Sequence, residues 1–337
     1  MNAYIARDTA ARAESFRPAV NKNVATGRML YENAVIVTRK TQLEELTDRF
    51  NTAAQARFYL EHAGQPFDVI EQAHKHYHDV LNTVLSAIPR GVKSHVIERS
   101  YLPQYSFQKT DLVITIGPDG LVVNTAKYVG EQAIVAVNPD PTVIDGVLLS
   151  YTANRLGKNL PNLLTGEGSI KRVSMAQAQL NDGQELLAFN DLFIGARSHV
   201  SARYHLAQGQ RGEDQSSSGV IVSTGAGSTG WLQSVYAGAA GVVQALGGNI
   251  VSPPNQGRLP WDTDHLMYAV REPFPSKASK ATQIFGTISN KKPLVIQSQM
   301  AENGVIFSDG IESDYLHFNA GSTVTISLAK HKAHLVA

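Results

Sequence analysis

The chain has 337 residues, with 30 Lys and Arg against 29 Asp and Glu and a formal charge of +1. That length suits about two domains, and the balanced charge supplies no global basic field, so neither nucleic acid nor a membrane is expected as a partner. There is no cysteine, which excludes disulfides, Cys-ligated zinc, iron–sulfur clusters and cysteine nucleophiles together and is compatible with a reducing compartment.

Residues 1–28 carry Arg7, Arg12, Arg17 and Arg28 with few large apolar side chains, so a secretory h-region is missing. Asp8 and Glu14 speak against a mitochondrial transit peptide, and a flexible extension is expected over 1–28. Ala34 to Thr38 is short, β-branched and free of charge, as in a strand covered on both faces. Thr41-Gln-Leu-Glu44 has capping-box spacing, and Leu43, Leu46, Phe50, Ala54 and Phe58 recur at helical intervals, predicting a helix that ends near Gly64. A second helix is predicted from Phe67 to Ile88, stopped by Pro89 and Gly91.

Strand-like runs follow at Val92 to Glu98, Leu112 to Ile116 and Ala133 to Val137, with a helix predicted over 122–128 between the last two. This alternation predicts a doubly wound, mainly parallel α/β nucleotide-binding domain over 29–150. Beyond Ser150 the pattern becomes Gly-rich and Ser-rich, with short alternating segments at Leu186 to Ile194, Val200 to Leu206, Gly219 to Ser223, Pro293 to Gln297 and Thr323 to Leu328. The region 151–337 is therefore expected to be a mostly β, sandwich-like domain, interrupted by one helix over 228–246 that carries Trp231, Val235, Ala239, Val242 and Leu246. The charge-free stretch at 215–257 holds Ser216, Ser217, Ser218, Gln233, Gln244, Asn249 and many glycines, unlike the apolar run of about 20 residues that a bilayer requires.

The predicted strand at Leu112 to Ile116 leads into Gly117-Pro-Asp-Gly120 and then a helix. This places a glycine-flanked carboxylate at the carboxyl edge of a parallel sheet, where ligands of open α/β sheets bind. Asp119 in that position is either part of a simple Asp-Gly turn or a group that holds a metal ion or accepts a proton. Gly225-Ala-Gly-Ser-Thr-Gly230 satisfies Gly-x-Gly-x-x-Gly after a strand, yet no Asp or Glu follows until Asp262, so the ribose acid of a dehydrogenase fingerprint is missing. Neither a P-loop nor a nucleophile elbow occurs. His74 and His78 share a helix face, but no adjacent acid completes a zincin pattern, and a polar helix face is the expected reading. Lys330, His331, Lys332 and His334 are expected to form a solvated basic tail.

Four separated segments, Gly117-Pro-Asp-Gly120, Asn190-Asp191, Ser223-Thr-Gly-Ala-Gly-Ser-Thr-Gly-Trp231 and Asp309-Gly310, resemble in order the motifs of the NAD kinase family. Phe189-Asn-Asp-Leu-Phe-Ile-Gly195 and Val270-Arg-Glu-Pro273 look most like the divergent branch that contains mitochondrial NAD kinase and bacterial proteins labelled NAD-kinase-like or sugar kinase. The resemblance implies an α/β domain followed by a β-sandwich. It also implies transfer of the ATP γ-phosphoryl group to the 2′-hydroxyl of the adenosine ribose of NAD, giving NADP, with a divalent cation, Mg2+ by expectation. By position Asp119 matches the catalytic carboxylate, Gly117 and Gly120 flank the ATP phosphates, and Asn138, Asn190, Asp191, Thr224, Gly227, Ser228 and Thr229 match the NAD-binding positions. A cytoplasmic homo-oligomer is expected on the same basis.

Four positions depart from the family pattern. Pro118 replaces a glycine and removes an amide donor beside the phosphate site, Asp191 replaces Glu, Trp231 replaces Tyr, and Ser218 stands where many members have Asp. These departures keep two alternatives open: a related kinase acting on a nucleoside, sugar or lipid hydroxyl, and a noncatalytic NAD-binding regulatory module.

Overall fold

The computed structural model describes residues 29–251 and 253–337; the extension expected at 1–28 lies outside the described residues. In chain order the first elements are β1 (Asn33–Thr38), α1 (Gln42–Phe50), α2 (Ala53–His62), α3 (Phe67–Ala87), β2 (Lys93–Glu98), β3 (Asp111–Ile116), α4 (Asp119–Ala126), β4 (Ala133–Val137), α5 (Ala153–Leu164) and β5 (Ile170–Val173). There follow β6 (Ala176–Leu180), β7 (Glu185–Ala188), β8 (Asp191–Ala196), β9 (Ala202–Gln208), β10 (Arg211–Ser217), β11 (Val220–Ser223), α6 (Trp231–Ala245) and β12 (Leu266–Val270). The chain closes with β13 (Phe285–Ile288), β14 (Leu294–Ser298), β15 (Gly304–Ser308), β16 (Ile311–His317), β17 (Thr323–Leu328) and β18 (Ala333–Val336).

Among the described residues the strands form three sheets of six, in the orders β2-β1-β3-β4-β18-β5, β10-β9-β14-β17-β6-β7 and β13-β12-β11-β8-β15-β16. In the first sheet β2, β1, β3, β4 and β18 run parallel and only β5 is antiparallel. The strands β3 and β4 are buried along their whole length, which is why they read as unbroken apolar runs. One face is covered by α3 and α5 through Tyr77, Val84, Leu156 and Leu160, and the other by α4. The second and third sheets are antiparallel and enclose a sandwich core that includes Leu192, Ile194, Tyr204, Leu206, Val222 and Tyr268. An α/β domain on a parallel sheet followed by a β-sandwich is the fold class expected from the sequence.

Several elements differ from the sequence expectation, each for a visible reason. The helix predicted from Thr41 to Gly64 is two helices, because Asn51 takes a left-handed φ of 64° and the Thr52 side chain caps a new start by accepting from Gln55 N. The helix predicted over 122–128 starts earlier, at Asp119. α5 escaped notice because Gly157 and Pro161 interrupt its pattern. Gly157 nevertheless suits the site, since a Cβ there would already touch the Ala87 methyl at 3.4 Å. The face predicted for α6 is not its buried face: Leu232 is the helix's buried residue, while Val242 and Leu246 are exposed.

The basic tail expected at the C-terminus is instead a strand. Ala333, Leu335 and Val336 are buried in β18, beside β4, and His334 Nδ1 lies 2.8 Å from the Glu131 carbonyl. α5, β5 and β18 thus belong to the first sheet and its cover, so the division expected after residue 150 does not follow the spatial layers; their apolar residues find the parallel sheet, not the sandwich. The run predicted from Leu186 to Ile194 also divides, β7 joining the second sheet and β8 the third. Among the described residues no helix is long and apolar enough to cross a membrane.

Candidate functional site

The site is built on two supports that meet at α4. At the carboxyl edge of the first sheet, Gly117 follows β3 and donates its N–H to the Val137 carbonyl at 3.3 Å, and Pro118 precedes the first turn of α4 without a side-chain cap. Asp119 occupies that first turn, where the helix dipole favours a negative group. Its carboxylate accepts from Val147 N at 2.9 Å and Leu148 N at 3.0 Å. Asn138 lies at the other end of the same loop, donating to the Ile144 carbonyl at 2.8 Å and accepting from Asp140 N at 3.0 Å. Asp119 and Asn138 therefore anchor the same loop, each at a different part of it. Arg39, just past β1, runs beside this edge, since a Cβ at Gly117 would lie 3.7 Å from its Cδ. Gly120 is exposed, with open space where a Cβ would stand.

The second support is the turn at which the chain leaves β7 and enters β8. Asp309 is partly buried, and its carboxylate accepts from the amides of Phe189 at 3.0 Å, Asn190 at 2.6 Å and Asp191 at 3.2 Å. A carboxylate that accepts from successive amides fixes the Asn190-Asp191 turn firmly. Lys127, at the far end of α4 from Asp119, reaches across to Ser308 Oγ at 2.6 Å and Asp314 at 2.7 Å. The eight residues of α4 span about 12 Å, so this helix connects the two supports. Leu121 and Val122 of α4 share one apolar cluster with Phe189, and partly buried Ala226 packs against it.

The Gly225–Gly230 loop backs onto the same turn. A Cβ on Gly227 would fall 2.2 Å from the Asn190 carbonyl oxygen, and one on Gly225 would fall 2.0 Å from the Pro260 carbonyl oxygen. The glycines thus permit close backbone approach. Thr224 N donates to the Asn190 carbonyl at 2.9 Å, and the Thr224 hydroxyl donates to the Phe189 carbonyl at 2.5 Å. The Ser228 hydroxyl donates to the Gly225 carbonyl at 2.7 Å and accepts from Leu259 N at 3.0 Å. Thr224 and Ser228 are buried and committed to holding the loop, while Thr229 is exposed. Gly227→Ala is expected to lower stability by about 1–3 kcal/mol through forced backbone displacement, measured by denaturant unfolding; an unchanged midpoint would show that the loop has room to move.

In front of the turn lies a cavity of about 650 Å³ whose walls include Asn190, Asp191, Phe193, Arg197, His199, Ser218, Trp231, Arg271, Phe307 and Asp309. Phe193 is near-parallel to Trp231, with centroids 5.8 Å apart, and to Phe307 at 6.1 Å. A Cβ on Gly195 or Gly219 would strike the Phe193 ring at 2.7 or 2.6 Å, so those glycines make the bed in which the ring lies. The Arg271 guanidinium sits 5.6 Å from the centre of the Trp231 ring. Flat apolar rings beside arginines and carboxyls can take an aromatic base, an anionic linker and hydroxyl groups together.

Burial pushes the Asp191 carboxyl up to about 7, with the Ser223 hydroxyl opposing and the charge of Asp309 adding to the rise. Burial also raises Asp309, against the pull of its backbone amides and Lys127. Folding therefore takes up a proton at Asp191 between the ordinary carboxylate range and pH 7. Stability is highest below that range, falls as pH rises through it, and has lost this contribution above about pH 7. Asp191→Asn is expected to flatten the fall in thermal midpoint between about pH 4 and about pH 8; an equal slope in the variant would contradict it.

Asn190, Asp191 and the Gly225–Gly230 loop are thus one assembly, whereas Asp119, Gly117, Gly120 and Asn138 lie outside the cavity wall. Sequence reasoning missed Phe193, Phe307, Arg197 and His199 as site residues. The available signal was the outward side of β8, where Phe193 alternates with buried Leu192 and Ile194.

No family model matches the chain. Over 162 residues it is 30% identical to the NAD kinase of Citrifermentans bemidjiense, covering 42% of this chain and 55% of that protein, so the chain spans about half the length of that relative. It is 24% identical over 233 residues to the NAD kinase of Chlorobaculum tepidum, covering 68% of this chain and 72% of the relative. The fold is shared with an NAD kinase from Archaeoglobus fulgidus in complex with ATP, at a TM-score of 0.50 and 14% identity over 90% of this chain and 93% of the other. It is shared also with yeast NADH kinase complexed with NADH, at 0.54 and 15% over 90% and 83%.

Proposed function

We propose that the chain is a member of the NAD kinase family, as its similarity to two NAD kinases supports, and that it transfers the γ-phosphoryl group of ATP to the 2′-hydroxyl of the adenosine ribose of NAD. The observation that carries this reading is the cavity in which the Asn190-Asp191 turn faces the Phe193, Trp231 and Phe307 rings, with Arg197 and Arg271 in the same wall. An adenine stacked on those rings would contribute about 1–3 kcal/mol. The arginines would meet the pyrophosphate, and Asn190 and Asp191 the ribose hydroxyls.

In the reaction the 2′-oxygen forms a bond to the γ-phosphorus as the bond from that phosphorus to the β–γ bridging oxygen breaks, and ADP leaves with the electron pair. Asp119, with lone pairs beyond those given to Val147 N and Leu148 N, would orient the hydroxyl and take its proton. Arg39 beside Gly117 would offer positive charge to the phosphates. The Asp119 carboxylate at this edge fits a divalent cation, Mg2+ in the first instance, carried in on the triphosphate. When bound, that cation neutralises phosphate charge.

A second reading rests on Pro118 and on the engagement of both Asp119 oxygens: the protein binds the dinucleotide without transferring phosphate. Incubation of the purified chain with ATP, Mg2+ and NAD or NADH, followed by mass analysis of the nucleotides, separates the two. Formation of NADP or NADPH supports the kinase. Dinucleotide binding with no phosphorylated product from ATP or polyphosphate supports the binding module, and phosphorylation of another acceptor supports a kinase of different substrate. The exposed Val242 and Val243 of α6 and Leu246 at its C-cap, and Phe285 beside Tyr236, suit a subunit contact. The proposal therefore includes a homo-oligomer, acting in the cytoplasm.

A further inference from the structure

Outside the cavity, on the helices beside the first sheet, His74 and His78 of α3 and Glu44 of α1 each offer a ligand atom, and these atoms all lie within 4.8 Å of one another. Two imidazoles at a four-residue spacing place both rings on one face of α3, with centroids 4.4 Å apart. The acid absent from the local pattern is supplied by tertiary contact: His78 Nε2 lies 3.2 Å from Glu44 Oε1.

The partners around the triad already orient it. Thr41 Oγ1 meets His74 Nδ1 at 2.8 Å, and the second Glu44 oxygen accepts from Thr41 N at 2.7 Å, which are the kinds of outer contact that fix ring and carboxylate ligands. All three residues are partly exposed, so an ion can reach them from solvent. A tetrahedral zinc ion with bonds of about 2.0–2.2 Å holds its donors about 3.4 Å apart, a separation that small side-chain rotations reach from this arrangement.

We propose that Glu44, His74 and His78 form a three-ligand site for a borderline-soft divalent transition ion, zinc(II) foremost, with water in the fourth position. Two imidazoles and one carboxylate favour zinc, cobalt or nickel over magnesium, so this ion is distinct from the one that accompanies ATP. Its role is a clamp. α1 contributes no buried residue of its own, and an ion bridging Glu44 to α3 fastens it where apolar packing is thin. α3 in turn contacts the phosphate edge, through the Tyr77 hydroxyl donating to the Ile116 carbonyl at 2.9 Å and His76 Nε2 lying 3.0 Å from the Pro139 carbonyl.

The test is zinc chloride added to the chelator-treated full chain, with bound metal counted after desalting, affinity taken from a competing chromophoric chelator, and the thermal midpoint followed. Cobalt(II) in place of zinc reports coordination by its visible bands. The wild-type chain is expected to retain one equivalent with a raised midpoint. His74→Ala, His78→Ala and Glu44→Gln are each expected to weaken zinc by more than about 10-fold. Glu44→Gln keeps the capping box able to form, so its loss of metal reads out ligation and not misfolding. His76→Ala, which alters a neighbouring ring outside the triad, should retain zinc. The proposal is overturned if the wild-type chain retains none, or if Glu44→Gln and His78→Ala bind zinc as the wild type does. None of these readouts depends on kinase activity.

Discussion

Asp119→Asn is expected to lower NADP formation by about 10²–10⁴-fold, the contribution typical of a positioned general base, while NAD affinity stays close to wild type. The substitution keeps side-chain size but removes the charge, and the cavity that would hold the dinucleotide does not include Asp119 in its wall. A secondary effect is also expected. The carboxylate accepts two amides, from Val147 and Leu148, whereas an asparagine can offer one oxygen and must turn an N–H2 group toward the other amide. Some loosening of that loop should follow, so Asp119→Glu is the companion variant, retaining charge at altered reach. Steady-state turnover with ATP and NAD, paired with calorimetric NAD titration, checks the split. Wild-type turnover in Asp119→Asn would remove Asp119 from the reaction. Joint loss of turnover and NAD binding would assign it a scaffolding role instead.

Asp309→Ala should have the second large effect, and by a different route. Three backbone amides, those of Phe189, Asn190 and Asp191, lose their acceptor together. A buried donor left without a partner costs about 1–3 kcal/mol, and the Lys127 charge loses a nearby compensating carboxylate. Stability should therefore fall by more than about 3 kcal/mol, and dinucleotide binding should be lost even under conditions where the protein is folded. Asp309→Asn separates packing from charge: its oxygen can serve Asn190 and Asp191, but its N–H2 group would confront the Phe189 amide. An intermediate loss is expected, because Asn also tolerates the positive φ of 54° found at this position. Denaturant unfolding and NAD titration read the two effects separately. If Asp309→Asn bound NAD and unfolded as the wild type does, the three-amide clamp would not be what shapes the Asn190-Asp191 turn.

The legible parts of this site were those written locally. Gly117-Pro-Asp-Gly120 was readable because a strand, a turn and a helix follow one another without interruption, and Asp119 indeed stands in the first turn of α4. Gly225 and Gly227 were readable as part of a Gly-x-Gly-x-x-Gly loop, and the fold shows that they accommodate the backbones of Pro260 and Asn190. Thr224 and Ser228, matched to NAD-binding positions by the family resemblance, use their hydroxyls in the fold to hold the loop itself. Asn138, matched to an NAD-binding position by the resemblance, makes its hydrogen bonds within its own loop. His74 and His78 looked like a polar face because the acid that joins them lies on a different helix.

By itself the sequence determined the parallel α/β layer, the β-rich layer and the positions of their glycine-marked turns, because apolar periodicity and backbone sterics act over a few residues and leave a local trace. Tertiary structure alone decided that Asp309 gathers the Asn190-Asp191 turn, that Phe193, Trp231 and Phe307 form one wall, and that β18 returns to the first sheet. Those outcomes depend on burial and hydrogen bonding between segments distant in the chain, where the free energy comes from removing both partners from water at once, and no spacing along one segment records which partner the other will be.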